Sequence, residues 1–339
     1  MKHSDADWAI PATVFVGFQF VAGMLLAAAI DYGPTPPVVE YLLKAGAFVL
    51  VASLLGIFIK SIQLMRDGVP NPTSELIEMA RTNRLSLLLG GWGCILVALQ
   101  IAALTWLKSM LPIAAPFWAD PMLAELDRAV FGTDPWRLLY PMPAYAHGLI
   151  DVTYALWFPI KAAALLAILS LGASEFKSRA LLAYFLIVGI FGVIGQYALS
   201  SAGPIFYGLL GYGDAFADLP SSSTTLGLRN YLWAIHLQRD VQFGGGISAM
   251  PSIHVAVAAW VALSVTALWR RLAVLGWAFY LLILVGSVYL GWHYVSDGLV
   301  GTVAALLSWK LSPLLIRQAR SLRLRPAQEA VAALEPADR

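Results

Sequence analysis

The stretch MPSIHVAVAAWVALSVTALWRRLAVLGWAFYLLILVGSVYLGWHYVSD, residues 250–297, decides the fold. Its two apolar runs, at about 253–269 and 272–289, are each long enough to cross a bilayer, and only Arg270 and Arg271 separate them. Such a pair predicts a tight antiparallel hairpin with the arginines at one membrane face. The opposite end then carries two histidines, His254 where the first run begins and His293 just beyond the second. Asp297 follows His293 by four residues, so on a helix it lies one turn away on the same face, where a carboxylate can hold and polarise the imidazole.

The remainder of the chain has the same character. Of 339 residues 59% are hydrophobic and only 12% charged, whereas a soluble domain carries about 25% charged residues. This composition predicts an all-α, polytopic integral membrane protein. Further apolar runs at about 8–30, 45–65, 85–107, 148–171, 180–200 and 294–316 bring the expected total to about eight transmembrane helices. The first run reads as a span and not as a cleaved signal peptide, although Ala27-Ala28-Ala29 follows it: Asp5 and Asp7 outweigh Lys2 ahead of it, and its length suits a hydrocarbon core of about 30 Å. The single cysteine, Cys94, excludes a disulfide within the chain and reads as a small core residue. The net charge of +2 is spread over short loops, which gives no basic patch for nucleic acid.

Lysines and arginines divide unequally between the two faces. Most, including Lys60, Arg66, Lys177, Arg179, Arg270, Arg271 and Arg317, share one side; Lys44, Lys108, Arg128, Arg137, Arg229 and Arg239 lie on the other, and Lys161 is inside the fourth span. The asymmetry predicts cytoplasmic termini and histidine segments that open on the extracytoplasmic side. Short loops without disulfides point to a bacterial inner membrane, with the site facing the periplasm. Two long loops, 108–147 and 201–250, share the histidine side. In the first, Asp120 to Phe131 combines an early proline, early acidic residues and helically spaced apolar ones, which predicts a short amphipathic helix on the membrane surface. The second, with a short helix expected at about 226–237, has the length of a lid or binding element. The expected division is two helices and a cytoplasmic loop in 1–84, a six-helix unit in 85–316, and a basic tail in 317–339 attracted to anionic lipid.

His254 follows Gly244-Gly245-Gly246 and Pro251-Ser252 at a helix start, where free backbone amides and the helix dipole suit a phosphate, and Ser252 adds a hydroxyl. An intramembrane carboxylate such as Asp297 is costly and points to function. These segments resemble the second and third signature motifs of the type-2 phosphatidic acid phosphatase superfamily, a Pro-Ser-Gly-His segment followed by one ending in His-x-x-x-Asp. The resemblance implies a six-helix core preceded here by two extra helices, and lipid phosphate chemistry with no metal or other cofactor. It makes His293 the nucleophile that forms a phosphohistidine, Asp297 its orienting partner, and His254 the acid and then base.

The departures from the pattern narrow the resemblance. The usual Lys-x6-Arg-Pro first motif is missing, Ser287 stands where the third motif has an arginine, and Ile253 replaces the glycine. In these respects, and in Ser201-Ala202-Gly203-Pro204-Ile205-Phe206-Tyr207, the chain is similar to the inositol phosphorylceramide synthase branch. That implies transfer of a phosphoryl or phospho-head-group unit from a phospholipid donor to a lipid or hydroxyl acceptor. A lipid phosphatase acting on phosphatidate or a polyprenyl diphosphate with water as acceptor is the alternative, and a lipid transporter or scaffold without chemistry is the alternative of a different class. Arg229 and Arg239 are the expected replacements for the cationic clamp, alongside Ser252. His147, Asp151 and Tyr154 share one helical stripe and, with Tyr207, are candidates for a head-group site or for ordinary helix packing.

Overall fold

The computed structural model describes residues 4–141, 144–220 and 222–332, with the backbone alone at 144, 145, 147 and 322–332. Among the described residues there are helices and no strands. In chain order they are α1 (Ala6–Ala29), α2 (Val38–Arg66), α3 (Pro72–Thr82), α4 (Arg84–Ala114), α5 (Ala119–Phe131), α6 (Pro135–Leu139) and α7 (Ala144–Ser170). There follow α8 (Glu175–Leu186), a π-helical turn at Ile187–Phe191 that runs on into α9 (Gly192–Ala198), then α10 (Ser223–Gln238), α11 (Ile253–Leu268), α12 (Ala273–Tyr289) and α13 (Val295–Ala332). Local chemistry sets several starts. The Asn71, Ser174, Ser222 and Ser252 side chains each accept from a backbone N–H three residues on, so each satisfies one of the orphan donors of a first turn.

Among the described residues seven helices are long and apolar enough to cross a membrane. The eighth expected span, α11, has only 16 residues, about 24 Å of helix. It is enclosed instead: Val255 to Trp260 are fully buried, and α7, α8, α12 and α13 pack around it. A helix apolar on every face belongs in such a position. Its run of alanines lets neighbours approach, and Trp260 ties it to α8 by donating to the Ala180 carbonyl at 2.7 Å. The hairpin between α11 and α12 turns through a single 3-10 turn at Arg270–Leu272, as the Arg-Arg pair predicts. The connecting loop expected after the second span contains a helix of its own, α3, with an N-terminal proline and no buried residue.

The two N-terminal helices differ in attachment. α2 packs against α4 and leaves most of its apolar side chains exposed, as a lipid-facing helix does. α1 is bound into the bundle against α4, α8 and α13. At its start the Asp5 carboxylate accepts from Lys177 Nζ and from Trp8 Nε1, both at 2.9 Å, and Lys177 also donates to the Leu171 carbonyl. Lys177 is 0% exposed and Asp5 6%. Asp7 nearby receives the Arg320 guanidinium at 2.6 Å.

Candidate active site

His254 and His293 come together at one end of the bundle, their rings 6.1 Å apart. His254 occupies the first turn of α11. Its main chain is fixed from both sides: Trp157 of α7 donates to its carbonyl at 2.8 Å, and the preceding Ser252 donates its N–H to the Asp297 carbonyl at 3.0 Å. That last contact requires α13 to pass very close to α11. Gly301 permits it, because a Cβ there would lie 2.4 Å from the Ser252 oxygen. The His254 ring stacks on Tyr154 at 5.3 Å and leans on Trp157 at 4.3 Å.

His293 sits just ahead of α13 and is 5% exposed. Its N–H donates to the Ser287 carbonyl, while the Ser287 hydroxyl is occupied by the Leu284 carbonyl. Asp297, fully buried one turn along, lies with Oδ2 3.5 Å from His293 Nδ1. This is ion-pair proximity and longer than a good hydrogen bond. The same Oδ2 accepts from the Tyr294 N–H at 2.9 Å, and Oδ1 has no hydrogen-bond partner among the described residues.

The loop helix α5 forms as expected, but it does not lie free on the membrane surface. Asp120 and Asp127 are buried, at 0% and 4% exposure, because they turn inward and hold the histidine segment. Asp127 accepts from the N–H groups of Val295 and Ser296 and so caps α13 from outside, where its charge also meets the positive end of the helix dipole. Asp120 accepts from the Ala202 and Gly203 N–H groups, each at 2.8 Å, and from the Tyr294 hydroxyl at 3.0 Å. Gly203 has φ +101°, and any Cβ there would collide with the Trp292 carbonyl 2.4 Å away, so this junction needs glycine. Ser201 completes the knot by accepting from Ala249 and Met250. Asp120 and Asp127 were not among the expected site residues.

Burial pushes the Asp120 carboxyl up to about 6 from 3.8, with the nearby Asp297 charge adding to the rise and the three donors opposing it. Between those two values the folded chain holds a proton that the unfolded chain has released. Stability therefore falls as pH rises from about 4 to about 6, and a loss of about 3 kcal/mol persists at neutral pH. Asp120→Asn is expected to remove this slope from the pH dependence of thermal unfolding in detergent. A variant that keeps the wild-type slope would assign the titration to another group.

The two arginines expected as the clamp sit on α10 and at its C-cap. Arg229 turns onto its neighbour Asn230 in an exposed bond at 3.0 Å, and Arg239 is exposed at the left-handed C-cap of α10. Burial and then the Arg239 charge hold His236 below its usual range, so Arg239 acts on that histidine. The other cations whose charges bear on His254 beside His293 are Lys108 of α4 and Lys161 of α7. Lys161 reaches back one turn to place Nζ 4.3 Å from the Trp157 ring centroid, and Trp157 in turn touches His254. A lysine within a span costs about 2.5–3.5 kcal/mol. The cation–π contact offsets about 0.5–2 kcal/mol of that.

Of the remaining expected residues, Tyr154 joins His254, with its hydroxyl buried and without a partner among the described residues. Asp151 accepts a 3.4 Å bond from Thr225 of α10. Tyr207 packs away from His254, in a cluster with Phe216, Trp136, Met250 and Tyr294. The His147 side chain lies outside the described residues.

The bundle of membrane-spanning helices thus brings two imidazoles to face each other at one end, with a buried carboxylate behind one of them. The family model of the PAP2 superfamily matches residues 122–311, more than half of the chain, and the protein belongs to that superfamily. The match begins inside α5, at Met122, and takes in both histidine segments. No curated protein and no solved structure matches the chain.

Proposed function

We propose that the protein is a lipid phosphotransferase that works through a phosphohistidine on His293. The observation that carries this reading is the facing of the two imidazoles at 6.1 Å, with Asp297 beside Nδ1 of one of them. That arrangement leaves His293 Nε2 for phosphorus. Nε2 attacks, the N–P bond forms as the P–O bond to the leaving group breaks, and His254 supplies the proton that the leaving oxygen takes. Asp297 orients the ring and balances the charge it acquires. In the second half the acceptor hydroxyl gives its proton to His254, its oxygen bonds to phosphorus, and His293 leaves. The Ser252 hydroxyl, whose oxygen caps the Val255 N–H, keeps its own proton to donate to a phosphoryl oxygen.

Similarity to the inositol phosphorylceramide synthase branch favours a lipid acceptor. It rests on Ser287 in place of an arginine and on the segment from Ser201 to Tyr207. The distribution of Lys and Arg supports an extracytoplasmic, periplasmic site in a bacterial inner membrane, with both termini in the cytoplasm.

Hydrolysis is a second reading with an observation of its own. A cavity of about 10 Å³ is lined by His293 together with Asp127, Asp134, Trp136, Pro204 and Phe216. That is close to the space one water needs. Incubating the purified protein with labelled phospholipids, with and without ceramide or diacylglycerol, separates the readings when products are identified by mass spectrometry. A new phospholipid that appears only with acceptor is the expected result; free phosphate without one would establish the phosphatase, and unchanged lipids would sink both.

A further inference from the structure

We propose that Lys161 and Lys108 form the cationic cradle that receives the phosphate oxygens of the anionic substrate beside His254. The proposal rests on the phosphoryl-transfer reading of the site, which requires those oxygens to be neutralised as charge develops on them.

Four observations carry it. Lys108 and Lys161 are both half-buried, and neither ammonium has a carboxylate or hydrogen-bond partner among the described residues. The contrast with Lys177 is direct: that lysine is sealed by Asp5 and a carbonyl, and so has no charge left to offer. Lys161 rests instead on the face of Trp157, the residue that also packs against the His254 ring and holds its carbonyl. A cation held by a ring can move to a doubly charged oxygen cluster with little rearrangement, because the phosphate offers charge-assisted hydrogen bonds that the ring does not. Lys108 approaches from the opposite helix. The segment leading to Met250-Pro251-Ser252 crosses directly over it, with Gly246 packed so closely that a Cβ would meet the Lys108 Cβ at 2.5 Å. Lys161 of α7 thus reaches the Trp157 ring that supports His254, and Lys108 of α4 lies under the segment that leads into Ser252 and His254.

The arrangement specifies a class of substrate. A phosphate group whose two or three free oxygens lie toward the interior of the bundle meets both cations, while its ester chain leads away into lipid. A zwitterionic head group brings its own cation toward the two ammonium groups, and is disfavoured. The ligand is thus an anionic phosphate, carried on a lipid or free in solution.

The test uses the full-length protein in detergent, with Lys161→Met, Lys161→Arg, Lys108→Met and the double methionine variant. Turnover of short-chain phosphatidate and inhibition by orthovanadate and by inorganic phosphate are measured for each, with thermal unfolding as the folding control. Each single methionine variant is expected to raise KM and weaken vanadate inhibition by about ten-fold or more, with a larger effect in the double variant. Lys161→Arg is expected to restore most of the binding, which a merely structural role does not predict. Stronger competition by short-chain phosphatidate than by inorganic phosphate would assign the cradle to a lipid head group, and equal competition to phosphate as such. Unchanged KM and vanadate inhibition in the folded double variant would overturn the cradle while leaving the histidine chemistry intact. Loss of vanadate binding in that variant, with no lipid turned over by the wild type, would keep the cradle and reject the proposed function.

Discussion

Replacing His293 with alanine is expected to abolish turnover, by about 10⁴-fold or more, in a protein that remains folded. Removing a covalent nucleophile leaves only binding and electrostatic assistance, which account for a small residue of the rate. The ring contributes little to packing that alanine would lose, since its backbone bond to Ser287 and the Tyr294 and Asp297 contacts survive the change. His254→Ala should also be severely impaired, but with a difference. A substrate with a good leaving group needs no acid in the first step, so this variant should accumulate phosphoenzyme from such a substrate, and acid-quenched protein incubated with a labelled one reports it. Full turnover in folded His293→Ala would reject His293 as the nucleophile, whereas a wild type that turns over no lipid would favour a transporter or scaffold.

The second large effect concerns stability. Lys177→Met leaves the Asp5 carboxylate buried without its cation and the Leu171 carbonyl without its donor. Breaking one side of a buried pair costs about 3–5 kcal/mol, a large share of the stability of most domains. The double change Asp5→Asn with Lys177→Met removes both charges and should recover much of that loss, because an apolar or neutral pair suits the interior as well as an ionic one. Chemical unfolding in mixed micelles measures the cycle. Equal destabilisation in the single and double variants would mean that the pair is not coupled. A lock of this strength also explains how α1, which precedes the residues the superfamily match covers, is bound into the bundle.

Much of this architecture is legible in the sequence because lipid imposes a simple rule on it. Apolar runs of sufficient length mark the spans, and the ends extend by a turn or two, as in α2, where polar first-turn residues such as Glu40 and Lys44 continue the helix. The paired histidines were legible because chemistry needs them at helix mouths. What lay between the spans was harder. The spacing of Asp120, Leu123, Ala124 and Asp127 puts all four on one stripe, the stripe that the structure buries. Two carboxylates on the apolar face of a helix were a sign of inward work that the reading as a surface helix passed over. Likewise Trp157 and Lys161 stand four apart, a helical neighbour relation visible in the sequence. Lys108 carried no such sign, for only the tertiary fold brings α4 to the strap before α11.

The brevity of α11 has a consequence for depth. Its 16 residues make about 24 Å against a hydrocarbon core of about 30 Å. With Arg270 and Arg271 held at head-group level on one side, His254 stands about 6 Å short of the interface on the other. The His254 imidazole is therefore recessed, and in the proposed function a phosphate drawn from the bilayer sinks below the plane of its neighbours to meet it. Membrane thickness, a property of the lipid and not of the chain, thereby enters the geometry of the reaction.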